Sequence, residues 1–377
     1  MLPVASGKGG VGKSLVAANL AIGIAQSGKS TLLVDLDLGG SNLHTILGMR
    51  GLAHGIGTYL SGKSRSIDGI VYPTEYANLQ FIPGDGEVPG MANVTSGQKN
   101  KLLRRLNGLD FDYVIMDLGS GSTFTTVDFF LASPRGIVVT TPSLTAILNA
   151  YLFLKNCVFR LLLRSFDRKS PASGRMTKLK ASPQEMQRLY IPNLVEELNA
   201  IDPAGGERFK RSLADFHPAI VLNLLEDPRD AGKAGKIRRS CTQYLGVDVD
   251  HLGVVYRDVL QTTALASGLP ILVYKPQSVL SRAIVRIADK ILESEWNEEL
   301  YMFETVDEGY QTAESEADID FSDKVASMQD LLDSGTLSQG DLVETIRTQQ
   351  YEIGRLRREN VFLKKKIVDA SEAGFDV

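Results

Sequence analysis

Residues 6–14 run Ser-Gly-Lys-Gly-Gly-Val-Gly-Lys-Ser, and no other stretch of the chain restricts its fold so tightly. From Gly7 to Ser14 the order is glycine, four residues, glycine, lysine, serine, which is the pattern of a loop that cradles phosphates. Glycines let successive backbone N–H groups converge on phosphate oxygens, at the positive end of the helix that follows. Such a loop requires a strand before it and a helix after it. Leu2–Ala5 supplies a short apolar stub, and Val16, Leu20 and Ile24 recur at helical spacing up to Gly28. Lys13 is placed to reach the β- and γ-phosphates of ATP, and the Ser14 hydroxyl to take Mg²⁺. The nucleotide-binding run is therefore Gly7, Lys8, Gly9, Gly10, Val11, Gly12, Lys13, Ser14 and Leu15. One loop needs only one lysine for its own nucleotide, so Lys8 has a charge to place elsewhere.

Three further blocks accompany the loop. Val34-Asp35-Leu36-Asp37-Leu38-Gly39-Gly40-Ser41-Asn42-Leu43 follows an apolar run, Tyr113-Val114-Ile115-Met116-Asp117 ends a second one in aspartate, and Ala219-Ile220-Val221-Leu222-Asn223 ends a third in asparagine. With Lys8-Gly9-Gly10-Val11-Gly12-Lys13-Ser14, these blocks resemble the MinD/ParA family of ATPases, whose deviant Walker A motif the loop matches at every position. The likeness spans roughly residues 1–292, is greatest to the MinD and FlhG branch, and departs at Leu118-Gly119-Ser120-Gly121, where the family commonly has Pro-Ala-Gly.

The resemblance implies a P-loop NTPase that forms an ATP-dependent homodimer, with Lys8 reaching the nucleotide of the other subunit. It also implies roles for the strand-end residues. Asp37 would orient the attacking water, so Lys8, Lys13 and Asp37 form the expected catalytic set. Asp35 and Asp117 would stand with Ser14 around the magnesium, and Asn223 would read the adenine.

Apolar, β-branched runs recur at Thr31–Val34, Leu79–Ile82, Tyr113–Met116, Gly136–Thr140, Ile220–Leu222 and Leu252–Val255, separated by helical stretches such as Lys99–Leu106, Ala146–Phe159 and Val279–Leu292. Non-alternating apolar strands interleaved with helices predict an α/β fold, a mostly parallel twisted sheet with helices on both faces. Ligands in such folds sit at the carboxyl ends of the strands, where Asp37, Asp117 and Asn223 all fall.

The alternation stops between Arg160 and Phe216. Residues 160–190 carry eight Lys/Arg against two Asp/Glu, which reads as a basic helical insert at about 160–216, either a partner surface or a solvated excursion. A formal charge of −4 for the whole chain hides a sharp asymmetry. Residues 293–335 hold 14 Asp/Glu against one lysine, while the first 292 residues carry about +9. The expected organisation is an ATPase domain over 1–292, an acidic linker over 293–335 with too little apolar content to join the core, and a coiled-coil helix over 336–370. The last element rests on an a/d heptad, with Ile346, Ile353, Asn360 and Ile367 at a and Leu342, Gln349, Leu356 and Leu363 at d. Arg355, Arg357, Arg358, Lys364, Lys365 and Lys366 leave a membrane-surface helix as the competing reading.

No run of ~18 apolar residues occurs, and the first strand has no basic-then-apolar leader before it, so the expectation is a cytoplasmic chain with peripheral membrane association as a further option. Cys157 and Cys241 form no CxxC pair, which argues against zinc or an iron–sulfur cluster and fits a reducing compartment. The leading functional expectation is an ATPase switch that positions a protein partner in division, flagellar or polar machinery. A DNA-partition ATPase, binding phosphates without sequence specificity through its basic regions, ranks second. An amidating synthase ranks third, because neither cysteine sits in a recognisable nucleophile elbow.

Overall fold

The strands are β1 (Leu2–Ala5), β2 (Thr31–Leu36), β3 (Tyr72–Pro73), β4 (Leu79–Ile82), β5 (Tyr113–Leu118), β6 (Arg135–Thr140), β7 (His217–Leu225) and β8 (Asp250–Tyr256). In the computed structural model they form one sheet in the order β3-β4-β2-β5-β1-β6-β7-β8. All neighbours pair in parallel except β3 with β4. The structure describes residues 1–37, 40, 42–64, 66–84, 94–166, 169–182, 190–296 and 306–333, with isolated helical positions at 347, 350, 353–355, 361 and 363.

Every residue of β1, β2 and β5 is buried. Helices cover the sheet on both faces, which is why these strands read as unbroken apolar runs. One face packs against helices Lys13–Gln26 and Val279–Trp296, through Leu20, Ile24, Ile284 and Ile287. The other packs against helices Leu144–Ser165 and Ala234–Leu245, through Phe153, Val158, Ile237 and Cys241. Helix Leu144–Ser165 is long and apolar enough by composition to cross a bilayer, yet 61% of its most apolar window is buried within the protein.

The insert is a set of short helices, Ser173–Lys180, Ile191–Ile201 and Pro203–Ala214, joined to the second face by Leu179, Leu194, Leu198 and Phe209. Some of its positive charge turns inward. Arg160 Nε and Arg164 Nη2 each donate to Asp128 Oδ1 at 2.7 Å, and Lys99 pairs with the same carboxylate. Burial pushes the Asp128 carboxyl up, but the bonds from Arg160 and Lys99 outweigh it and hold the group at about 2.

The acidic segment departs from the expectation of a linker. Residues 306–333 form one helix, Val306–Asp333, and a first compact unit extends from Met1 to Asp320. Tyr310, Ala313 and Ala317 are buried at three- and four-residue spacing, so the helix hides a narrow apolar stripe despite its charge. The physical reason is complementarity. Lys290 Nζ meets Glu316 Oε1 at 2.8 Å, Arg286 pairs with Asp320, and Arg238 pairs with Asp307. The second unit, Phe321–Val377, contains the remainder of that helix. Of the heptad positions only Ile353 and Leu363 lie among the described residues, both helical, and the rest of the coiled-coil expectation falls outside them.

Candidate nucleotide-binding site

The loop after β1 opens helix Lys13–Gln26 through Gly12, which holds a left-handed conformation at φ 82°. That helix has no side-chain cap and no acidic residue in its first turn. Thr95, Thr123, Ser143 and Asp202, by contrast, cap the helices they precede. Its first N–H groups and the positive end of its dipole therefore face the loop without a competing anion from the chain. The loop is held tightly on both sides. A Cβ on Gly12 would lie 2.2 Å from Asn223 Nδ2, and one on Gly7 would lie 2.1 Å from the Asn149 carbonyl oxygen. A side chain at Gly7 would have to move the backbone of helix Leu144–Ser165, and one at Gly12, itself in a left-handed backbone conformation, would have to displace the Asn223 side chain.

Lys13 and Asp117 are both buried, and Lys13 Nζ donates to Asp117 Oδ1 at 2.6 Å. Lys13 Nζ also lies 3.4 Å from Ser14 Oγ. Burial pushes the Asp117 carboxyl up, against the opposing pull of Lys13 and a hydrogen bond from Ser14. Asp35 stands opposite Asp117 in the β2–β5 register. Its carboxylate accepts the N–H groups of Asp37 at 3.0 Å and Leu43 at 3.4 Å, so it shapes the chain that carries Asp37. Asp37 is half-buried, and its Oδ1 lies 3.4 Å from the point a Cβ on Gly119 would occupy, against the chain leaving β5.

Lys8 is exposed at the rim, where Nζ donates to Thr145 Oγ1 at 3.3 Å on helix Leu144–Ser165. Two leucines of that helix stand out from the surface, Leu144 at 79% and Leu148 at 54% exposure. A cleft of about 340 Å³ opens beside the loop, lined by Lys8–Val11 and Thr141–Ser143, and further along by Leu224, Glu226, Asp230, Lys233 and Arg257.

A family model described as ParA, the NUBPL iron-transfer P-loop NTPase, matches residues 1–156. The septum site-determining protein MinD of Helicobacter pylori is 30% identical over 148 residues, 39% of this chain and 54% of the relative. The flagellum site-determining protein YlxH of the same organism is 32% identical over 159 residues, 41% of this chain and 52% of the relative. Among solved structures, MinD complexed with Mg-ADP from Pyrococcus horikoshii superposes with a TM-score of 0.53 at 20% identity, covering 77% of this chain and 94% of that one. The chain carries a MinD/ParA-type P-loop domain. It spans about half the length of the curated relatives it matches.

Within this MinD/ParA frame the loop residues and the strand-end carboxylates gather at one place, and Asn223 lies against the loop. A register shift in β7 between Leu222 and Leu225, with Leu224 at φ 58°, turns Asn223 beneath the loop. Its side chain is 1% exposed and Nδ2 donates to the Val11 carbonyl at 2.8 Å. One N–H of the amide is thereby committed to the loop. Thr145 and Ser120 escaped the sequence reading. Ser120 Oγ lies 3.6 Å from the point a Cβ on Gly9 would occupy, in the segment where the MinD/ParA pattern is broken. Ser143 as an N-cap was the available signal for Thr145, since it starts the helix at the strand ends, beside the loop.

The donor set fits a magnesium triphosphate. An uncapped helix start, a lysine, a hydroxyl and a buried carboxylate converge, and the residues that would hold Mg²⁺ are Ser14 and Asp117, with Asp35 ordering the chain between the strands.

Proposed function

We propose that this chain is an ATP-driven switch of the MinD/FlhG kind, which pairs with a second copy when ATP is bound and separates on hydrolysis. The observation that carries the proposal is the division of labour between two lysines. Lys13 is buried and held by Asp117, whereas Lys8 projects from the rim beside two exposed leucines. A lysine in that position is free to serve a facing subunit, and Leu144 and Leu148 give that contact apolar area to bury.

The residues divide the work accordingly. Backbone N–H groups at the start of helix Lys13–Gln26 hold the phosphates, and Lys13 exchanges part of its bond with Asp117 for the β/γ-phosphate charge. Mg²⁺, when bound, supplies further positive charge to the same oxygens. Asp37 sits where a water could be oriented for in-line attack, which acts on turnover rather than on binding. Lys8 of the facing copy completes the positive surroundings of the γ-phosphate, so pairing and hydrolysis become one event.

The positioning role follows the names of the relatives, septum site-determining and flagellum site-determining proteins, and the cargo here is an unidentified protein partner. Segment 336–370 would assist pairing as a coiled coil. Doubling a weak contact with a membrane or partner raises avidity without new contacts. The iron-transfer description of the matching family model finds little chemistry in this chain. Its two cysteines are both buried, and burial pushes Cys241 up to about 12 and Cys157 up as well. Neither offers an accessible thiolate for a cluster. Non-specific DNA binding loses part of its basis too, since Arg160 and Arg164 are spent on Asp128 and Arg175 on Glu197.

Calorimetry with Mg-ATP tests the first step. Wild-type protein should bind and Lys13→Ala should bind far more weakly; equal binding by the variant would remove the loop from the mechanism.

A further inference from the structure

The acidic helix does more than cover an edge of the sheet. It touches the far wall of the nucleotide cleft at two separate places. The first is the 3₁₀ turn Pro228–Lys233, whose Asp230 and Lys233 line the cleft. Glu314 Oε1 of the acidic helix lies only 3.0 Å from the point a Cβ on Gly232 would occupy, between those two lining residues. The second is the end of β8. Tyr256 Oη donates to the Ala317 carbonyl at 2.9 Å, and the next residue, Arg257, lines the cleft and pairs with Glu226 at 3.2 Å. The wall formed by residues 226–233 and 257 therefore has the acidic helix behind it at two points.

We propose that residues 306–320 are a positioning element for the nucleotide site, so that docking of the acidic helix and occupancy of the cleft are thermodynamically coupled. Tyr256 and Glu314 are the positioning residues, acting through Arg257 and the 228–233 turn. The latch is built for reversible docking. Its apolar stripe is only one tyrosine and two alanines, Tyr310, Ala313 and Ala317, and its flanks are the ion pairs Lys290–Glu316, Arg286–Asp320 and Arg238–Asp307. Anything that lifts the helix removes support from the wall, and by reciprocity nucleotide that needs the wall in place tightens the helix. Because the helix runs on to Asp333, the coupling gives whatever engages the C-terminal segment a route to the nucleotide site.

The inference rests on the nucleotide reading of the cleft, and the experiment keeps the two apart. Full-length wild type and Ala317→Glu are compared by ATP turnover and by hydrogen exchange of residues 306–320. Ala317 is fully buried, so a carboxylate there releases the helix. The coupling predicts a KM for ATP raised about fivefold or more with kcat within about twofold, and wild-type exchange in 306–320 slowed by Mg-ATPγS. Should Ala317→Glu not fold, Tyr256→Phe keeps the ring, deletes the hydrogen bond to Ala317 and should shift KM the same way by about twofold. No binding of ATP to wild type defeats the nucleotide reading itself. Binding with an unchanged KM in the released variant, or exchange of 306–320 indifferent to nucleotide, defeats the coupling alone.

Discussion

The loop at 6–14 and the helix at 306–320 are both dense in unusual residues, yet only one of them could be understood without the rest of the molecule. The loop's chemistry is local. Its glycines, Lys13 and Ser14 act on the same ligand because they are neighbours in sequence, and the uncapped helix start follows from the same residues. The acidic helix has no chemistry of its own. What it does depends on Lys290, Arg286, Arg238 and Tyr256, which sit 26 to 69 positions away from the residues they meet. Contiguous function survives a reading from sequence, whereas function made by docking does not.

The sharpest way to break this contrast is at the loop. Lys13→Ala should weaken ATP binding by about ten- to a hundredfold, since losing a charge-assisted contact in a buried site costs about 1.5–3 kcal/mol. Retained affinity by calorimetry would mean the loop is not self-sufficient. Asp37→Ala should keep ATP affinity and lose turnover by about a hundredfold, because the group acts in the transition state; unchanged kcat would remove it from the mechanism.

Next come the docked elements. Ending the chain before Val306 should lower stability by about 3 kcal/mol in chemical unfolding, from the lost burial around Tyr310, Ala313 and Ala317. A truncated protein as stable as the full chain would restore the linker reading. Asp128→Asn should cost about 3 kcal/mol at neutral pH by stranding Lys99, Arg160 and Arg164. Because the native carboxyl is held at about 2, below the usual 3.8, its stabilisation is present above roughly pH 4 and lost as pH falls towards 2. The gap between variant and wild type should therefore close over that interval, and a gap constant with pH would show the charge to be irrelevant. Thr145→Val is the smallest change, within about 0.5 kcal/mol of wild-type stability, and tests only whether the rim contact of Lys8 matters.

Most of the sheet was legible in the sequence, because strands buried on both faces leave unbroken apolar runs. β2, β5, β6 and β7 were all anticipated within a few residues. β3 was not, being two residues long and paired antiparallel at the edge, where propensity says little. In the insert the basic count was visible but its direction was not, since only the fold brings Asp128 up to Arg160 and Arg164. The bond from Asn223 to Val11 was not visible in the sequence, because a bulge at Leu224 decides which way the side chain points.

Whether Lys8 works across two copies is the centre of the account, and complementation by mixing tests it most directly. Lys8→Ala retains Asp37 and its own loop, while Asp37→Ala retains Lys8, and each alone should be close to inactive with ATP still bound. In a mixed pair the Lys8→Ala site would receive Lys8 from the Asp37→Ala copy, so ATP turnover should reappear when the two are combined. If both variants bind ATP and form mixed pairs yet turnover stays at the level of the separate proteins, Lys8 serves its own chain and the switch proposed here is wrong.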